Sequence, residues 1–254
     1  FMSLKAIVTG SAACVVVCVS IAAQVGVRAA LPQGRQNGPP PPAPKEIIAE
    51  DIPGVIKGGT KVTLIRDGFN GTEAVITMPD GSMLFTEQDA NKIIKIDKND
   101  QISTYLENTN RTIGLAYDHK GRLIGAQSRE PRIAVMAPTT AVLADTFEGQ
   151  PLVRPNDLVI DRKNGIYFTD AIPNAQVAFR PPPPGRKPLL FYITPQGKLT
   201  KASEDLQTVN GVQLSPDEKT LYATNSGTIM AFDVQPDGSL KNPRVFAMSG
   251  GDGL

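Results

Sequence analysis

From about residue 60 onward, apolar and polar positions alternate in short runs, and each run breaks at a polar turn. Ala74-Val75-Ile76-Thr77-Met78 leads through Pro79-Asp80-Gly81 into Met83-Leu84-Phe85-Thr86, and Leu115-Ala116-Tyr117 leads through Asp118-His119-Lys120-Gly121 into Leu123-Ile124-Gly125. Leu158-Val159-Ile160 is joined to Ile166-Tyr167-Phe168-Thr169 by Asp161-Arg162-Lys163-Asn164-Gly165. Val212-Gln213-Leu214 is joined to Leu221-Tyr222-Ala223-Thr224 by Ser215-Pro216-Asp217-Glu218-Lys219. Period-two alternation bounded by Gly, Pro, Asp and Asn predicts β-hairpins, and no helical periodicity of useful length competes.

The hairpin turns, taken at Gly81, Gly121, Gly165 and Lys219, recur after 40, 44 and 54 residues. The longest interval holds the insertion Arg180-Pro181-Pro182-Pro183-Pro184-Gly185. Further strands are expected over 92–97, 189–194 and 228–234. Four strands per period of about 40–50 residues is the pattern of a β-propeller. A β-sandwich is the competing all-β fold, but it does not require one hairpin to recur at long range.

The repeat brings one position into focus. Immediately before the first strand of each hairpin stand Glu73, Ile113, Asn156 and Asn210, and Asp252 occupies the same place before Gly253-Leu254. Equivalent starts of inner strands converge on one mouth of a propeller channel. Glu73, Asn156, Asn210 and Asp252 would set two carboxylates and two amide oxygens there. That hard-oxygen set suits one divalent ion, Ca²⁺ first, with Mg²⁺, Mn²⁺ and Zn²⁺ as alternatives. Ile113 leaves one side apolar. The competing reading is that Asn or Asp before Gly serves only the turn.

Composition narrows the chemistry. The 254 residues carry 26 Lys and Arg against 25 Asp and Glu, without the basic surplus a nucleic-acid binder needs. A hydrophobic share of 41% supplies a core, so the chain is not a disordered one. The two cysteines, Cys14 and Cys18, build neither a disulfide framework nor a zinc cluster. The single histidine, His119, falls in a hairpin turn away from the mouth, which argues against Ser–His–Asp hydrolysis. It reads as a solvated turn residue.

The N-terminal segment differs from the rest. Lys5 precedes an uncharged run over 6–27, and Val27-Arg28-Ala29 resembles a small-residue cleavage site. Residues 1–30 therefore read as a secretory signal peptide, with an uncleaved membrane anchor as the competing reading. Cleavage would remove both cysteines and leave a protein without stable membrane insertion, exported to a periplasmic or extracellular space. Residues 31–59, with Pro39-Pro40-Pro41-Pro42-Ala43-Pro44, read as a Pro-rich linker, and 60–254 as the propeller.

Three stretches carry a family resemblance: Arg154-Pro155-Asn156-Asp157-Leu158, Ile166-Tyr167-Phe168-Thr169-Asp170, and the long run from Asn210-Gly211-Val212 through Ser215-Pro216-Asp217 to Leu221-Tyr222. Over 67–254 the chain resembles the SMP-30/gluconolactonase/LRE-like (SGL) family. The resemblance implies a six-bladed β-propeller, which this chain, truncated at its C-terminus, would represent by about four to five blades. It also implies a divalent metal on Glu73, Asn210 and Asp252, with Asn156 beside it contacting substrate or metal and Arg154 contacting substrate. Two departures stand out. Many members carry Glu-Gly-Pro at the first ligand, where this chain has Glu73-Ala74-Val75, and bacterial members often place His after the second hairpin, where this chain reads Ala126-Gln127-Ser128-Arg129-Glu130.

The chemistry expected is hydrolysis of a lactone or sugar-derived ester by metal-activated water. Asp252 is the candidate general base and Arg154 the substrate-orienting cation. A surface ion pair is the competing role for Arg154. Glu87, Asp170 and Asn225, at the ends of second strands, return to the same mouth as supporting groups. A non-catalytic, metal-stabilised propeller that binds a ligand or partner is the alternative function.

Overall fold

The computed structural model describes residues 4–8, 15–16, 47–173 and 181–254. Most of the export signal read over 1–30, the Pro-rich run over 39–44 and Arg180 of the insertion lie outside the described residues. The chain divides into two compact units, Phe1–Thr72 and Glu73–Leu254.

The first unit contains β1 (Leu4–Val8), β2 (Val15–Val16), β3 (Ile47–Ile48) and β4 (Lys61–Leu64), in the sheet order β2-β1-β4-β3. Val62 and Ala49 are buried against Ile56, and Asp51 accepts the Gly58 N–H at 2.9 Å. β3 thus lies inside the segment expected to be linker. β1 and β2 fall in the segment read as a leader, so cleavage there would leave β3 and β4 as this sheet's remaining pair.

The second unit is all β, with no helix among the described residues. The first sheet comprises β5 (Thr72–Thr77), β6 (Met83–Glu87), β7 (Lys92–Ile96) and β8 (Ile102–Glu107). The second comprises β9 (Thr112–Tyr117), β10 (Leu123–Gln127), β11 (Arg132–Ala137) and β12 (Ala141–Ala144), followed by the hairpin of β13 (Thr146–Phe147) and β14 (Gln150–Pro151). The third is built from β15 (Pro155–Ile160), β16 (Ile166–Asp170), β17 (Leu189–Ile193) and β18 (Leu199–Ser203). The fourth holds β19 (Val212–Leu214), β20 (Thr220–Asn225), β21 (Thr228–Val234) and β22 (Leu240–Ala247). Four consecutive antiparallel sheets of four strands are four propeller blades. β15 lies beside both β9 and β19, so first strands neighbour one another as inner strands must.

Blades stack face to face, which explains the apolar pattern. β10, β16 and β17 are buried along their whole length because both faces meet a neighbouring blade. Phe168 and Phe191 face the second blade with Ile124, Ile133 and Leu158. Tyr167 and Leu190, pointing the other way, pack with Val212, Leu221 and Phe232 of the fourth. Each such side chain stabilises the fold by about 1.5–3 kcal/mol relative to exposure. Outer strand β22 is mostly exposed, consistent with its polar run Lys241-Asn242-Pro243-Arg244.

The hairpin turns have their own chemistry. Asp118 accepts the Lys120 and Arg122 N–H groups at 2.9 Å each, and Asp161 accepts those of Lys163 and Gly165 at 2.9 and 2.7 Å. Left-handed φ falls on Gly81 and Gly121 but on Asn164 and Glu218 in the last two hairpins, one residue earlier than Gly165 and Lys219. Those two side chains then join adjacent blades. Asn164 accepts the His119 N–H at 2.8 Å, and the Glu218 carboxylate accepts the Arg162 N–H at 2.9 and 3.1 Å. The His119 ring also meets the Asp161 carbonyl at 2.9 Å. His119 is an exposed turn residue, as expected, and it also joins two blades.

Candidate functional site

At the opposite end of the blades, the inner strands begin close together. A Cβ on Gly114 would lie 2.7 Å from the Asn156 carbonyl oxygen, and one on Gly211 would lie 2.8 Å from the Gly253 carbonyl carbon. That crowding explains Gly after the repeated position in two blades. Ala74 follows Glu73 with φ of 28°, a conformation that favours Gly, so the departure from Glu-Gly-Pro is accommodated at some strain.

Hydroxyls at the ends of the second strands fix the inner strands. Thr86 Oγ1 donates to the Ile113 carbonyl at 2.9 Å, and Thr169 Oγ1 donates to that of Asn210 at 2.6 Å. Thr224 Oγ1 accepts the Asn210 N–H at 3.0 Å, so the Asn210 backbone is held from both sides. The next residue of each strand holds the entry loop. Asn225 accepts the Gln207 and Thr208 N–H groups at 2.8 and 3.2 Å, and Asp170 accepts those of Val153 and Arg154 at 2.9 and 2.7 Å. In the second blade this position is Gln127, which donates to the Thr109 carbonyl at 3.1 Å.

Glu73 and Asn156 are the second residues of β5 and β15, so they lie inside the strands and not before them. Asn210 does precede β19, and Asp252 lies in a bend beyond β22. The Asn210 side-chain amide donates to the Asp252 carboxylate, and Gly211 N–H donates to the Asp252 carbonyl at 2.9 Å. Asn156 is buried, Glu73 and Arg154 are half-buried, and Asp252 is exposed.

Electrostatics joins them. Burial, and then the Asp252 charge, push the Glu73 carboxyl up to about 7, with Arg154 opposing. Burial pulls the Arg154 guanidinium below its ordinary value while Glu73 and Asp252 resist. Glu73, Arg154 and Asp252 thus share one field. No hydrogen-bond donor among the described residues reaches the Glu73 carboxylate. A half-buried carboxylate repelled by a second one, to which the Asn210 amide is bonded, would gain from a hard divalent cation; among the described residues no three His, Cys, Asp or Glu side chains gather as a metal-holding group.

Asp157 went unassigned in the sequence. Its carboxylate accepts the Val212 N–H at 3.0 Å, bridging β15 to β19, and burial raises its carboxyl to about 6 against the Val212 and Leu158 N–H groups. It stands at the repeat position occupied by Gly114, Gly211 and Gly253 in other blades, and that exception was its signal.

A family model described as "SMP-30/Gluconolactonase/LRE-like region" matches residues 71–254. The gluconolactonase of Zymomonas mobilis is 24% identical over 201 residues, covering 68% of this chain and 53% of that protein. Among solved structures, a gluconolactonase from Xanthomonas campestris superposes with TM-score 0.65 at 24% identity, covering 72% of this chain and 64% of the other. The calcium-binding protein regucalcin from Agrobacterium tumefaciens superposes with TM-score 0.56 at 16% identity, covering 73% and 63%. The chain spans about half the length of the curated relatives it matches.

Proposed function

The chain belongs to the SMP-30/gluconolactonase/LRE-like family, and from that premise we propose that it is an exported, divalent-metal-dependent hydrolase that opens a lactone. The observation that carries this reading is the shared field of Glu73, Arg154 and Asp252, with Asn210 bonded to Asp252. A gluconolactonase relative and gluconolactonase structural neighbour support the lactone as substrate class, and the calcium-binding neighbour supports Ca²⁺.

Glu73, Asn156, Asn210 and Asp252 would hold the ion. When bound, such an ion supplies Lewis acidity toward the lactone carbonyl and a nucleophilic water at neutral pH. Asp252, exposed at the mouth, takes the proton as water adds to the carbonyl carbon. Arg154 orients the substrate through its oxygen atoms. The ring carbon–oxygen bond then breaks, and the ring oxygen leaves as the hydroxyl of a hydroxy acid after receiving that proton. On this reading residues 1–30 are an export signal, a reading supported by Lys5 and the uncharged run over 6–27, and the reaction takes place in a periplasmic or extracellular space.

The test is a panel of aldono- and alkyl-lactones offered to the chelator-dialysed protein. Turnover restored by Ca²⁺, Mg²⁺, Mn²⁺ or Zn²⁺ supports the reading. Metal-dependent stability with no turnover on any lactone would replace it with the non-catalytic, metal-tied propeller.

A further inference from the structure

The insertion between β16 and β17 is not explained by the propeller repeat. Asp170 and Leu189, which bound it, are cross-strand partners, and Asp170 also pairs with Pro155 at the start of β15. The insertion therefore leaves and re-enters the sheet at the mouth, beside Arg154. Its described residues are 171–173 and 181–188, the latter opening with Pro181-Pro182-Pro183-Pro184-Gly185-Arg186. The run closes in a turn in which Arg186 N–H donates to the Pro183 carbonyl at 3.1 Å, with Gly185 at φ 75°. Proline fixes φ over 181–184, and the turn through Gly185 is closed by the Arg186 N–H bond to Pro183.

The Arg186 guanidinium donates to Asp170 Oδ2 at 2.9 Å, and the two side chains are only 11% and 0% exposed. Arg186 lies over the Phe191 ring, 5.8 Å from its centroid, while its Nε is buried with no acceptor among the described residues. Burying a guanidinium with one donor unmet is costly, so its retention points to something held in return. Asp170 accepts Val153 N–H through both carboxylate oxygens, at 2.9 and 3.1 Å, and Arg154 N–H through Oδ1 at 2.7 Å. Ala171 N–H donates back to the Arg154 carbonyl at 3.0 Å. The backbone of Arg154 is thus gripped at both its N–H and its carbonyl, around a carboxylate whose charge is matched by Arg186.

We infer that Arg186, delivered by the Pro-rich insertion, is a positioning residue that holds the Arg154 loop at the mouth through Asp170. The inference rests on the reading of Arg154 as the substrate-orienting group. Without Arg186 the buried Asp170 carboxylate has lost its counter-charge, the 153–154 loop loosens, and the Arg154 guanidinium no longer starts from a fixed backbone. The Pro-rich run is then a rigid arm for one side chain.

The test compares wild type with Arg186→Lys, Arg186→Met and the double variant Asp170→Asn/Arg186→Met, which buries no charge and guards against a misfolded single variant. Amide hydrogen exchange is read at Val153 and Arg154 and, as a reference, along β20 and β21. In Arg186→Met and in the double variant, exchange at 153–154 should quicken about tenfold or more while the reference strands stay unchanged. With the best lactone, KM should rise about tenfold and kcat change less than threefold, with Arg186→Lys intermediate in both. Unchanged exchange at 153–154, an equal acceleration across all blades, or a loss in kcat without a change in KM would overturn the inference. If wild type turns over no lactone, the proposed function falls, and the exchange data decide the positioning role without it.

Discussion

The two ends of the blades use the same carboxylate chemistry in opposite ways. At the hairpin-turn end, the Ser82 N–H and then Lys95 hold the Asp80 carboxyl down at about 2. Asp118 is also held low: burial opposes it, but the Arg122 and Lys120 N–H groups and the Arg122 guanidinium outweigh burial. The Ser215 hydroxyl and the Lys219 N–H hold Asp217 low. At the mouth, Glu73 rises to about 7 and Asp157 to about 6 because burial is met by too few donors and by other carboxylates. Asp80, Asp118 and Asp217 take backbone donors from their own turns, so local sequence goes far to satisfy them. Mouth carboxylates come from different blades and face one another, an arrangement that stability alone does not favour and a cation would complete.

The largest expected break in this contrast is Asp252→Asn, which weakens metal binding and should still lower lactone turnover by about 10²–10⁴-fold at saturating metal, while melting of the metal-free protein stays near wild type. Turnover restored to the wild-type level by excess metal would make Asp252 a ligand only. At the turn end the effect should fall on folding. Asp161→Ala strands the Lys163 and Gly165 N–H groups and the Tyr192 hydroxyl, which reaches Asp161 at 2.7 Å, and should cost about 3 kcal/mol in denaturant unfolding. A variant as stable as wild type would remove Asp161 from the turn account.

The pH dependences should also run in opposite directions. Glu73 is raised from 4.5 to about 7, so in metal-free protein its contribution to stability is complete below 4.5 and is lost as pH rises through 7. The change is on the order of 2 kcal/mol and should vanish in Glu73→Gln. Asp80 is lowered from 3.8 to about 2, so its smaller contribution is present above 3.8 and is lost as pH falls through 2. Asp80→Asn should lower stability at every pH above about 4 and flatten the acid limb, so that variant and wild type converge near pH 2. An Asp80→Asn variant as stable as wild type at neutral pH, or a Glu73→Gln profile identical to wild type, would erase the distinction between the ends.

The blades were legible because a β-hairpin is local: alternation and Asp-to-Gly turns recur within each short span, and β6, β10, β16 and β20 form where the pattern placed them. The mouth was legible only as a repeat position. The repeat picked out Glu73, Asn156, Asn210 and Asp252, but placed the first two one step outside their strands. Asp157, Thr169 and Arg186 were missed for a different reason. Each acts across blades or across an insertion, through partners such as Val212, the Asn210 carbonyl and Asp170; the repeat marks Asp157 as an exception, but spacing does not name any of these partners. His119 is the exposed turn residue expected, but its inter-blade bond went unforeseen for the same cause, since its partner Asn164 belongs to the next blade.

The most direct test of the contrast is the shift in melting temperature that Ca²⁺ produces at pH 6 and at pH 8, in wild type, Glu73→Gln and Asp80→Asn. Since the ion must displace the proton that Glu73 holds up to about 7, the shift should be larger at pH 8 than at pH 6 in wild type and Asp80→Asn. It should be small and pH-independent in Glu73→Gln. No Ca²⁺-dependent shift at either pH, or a Glu73→Gln response equal to wild type, would contradict the assignment of the mouth as the cation site.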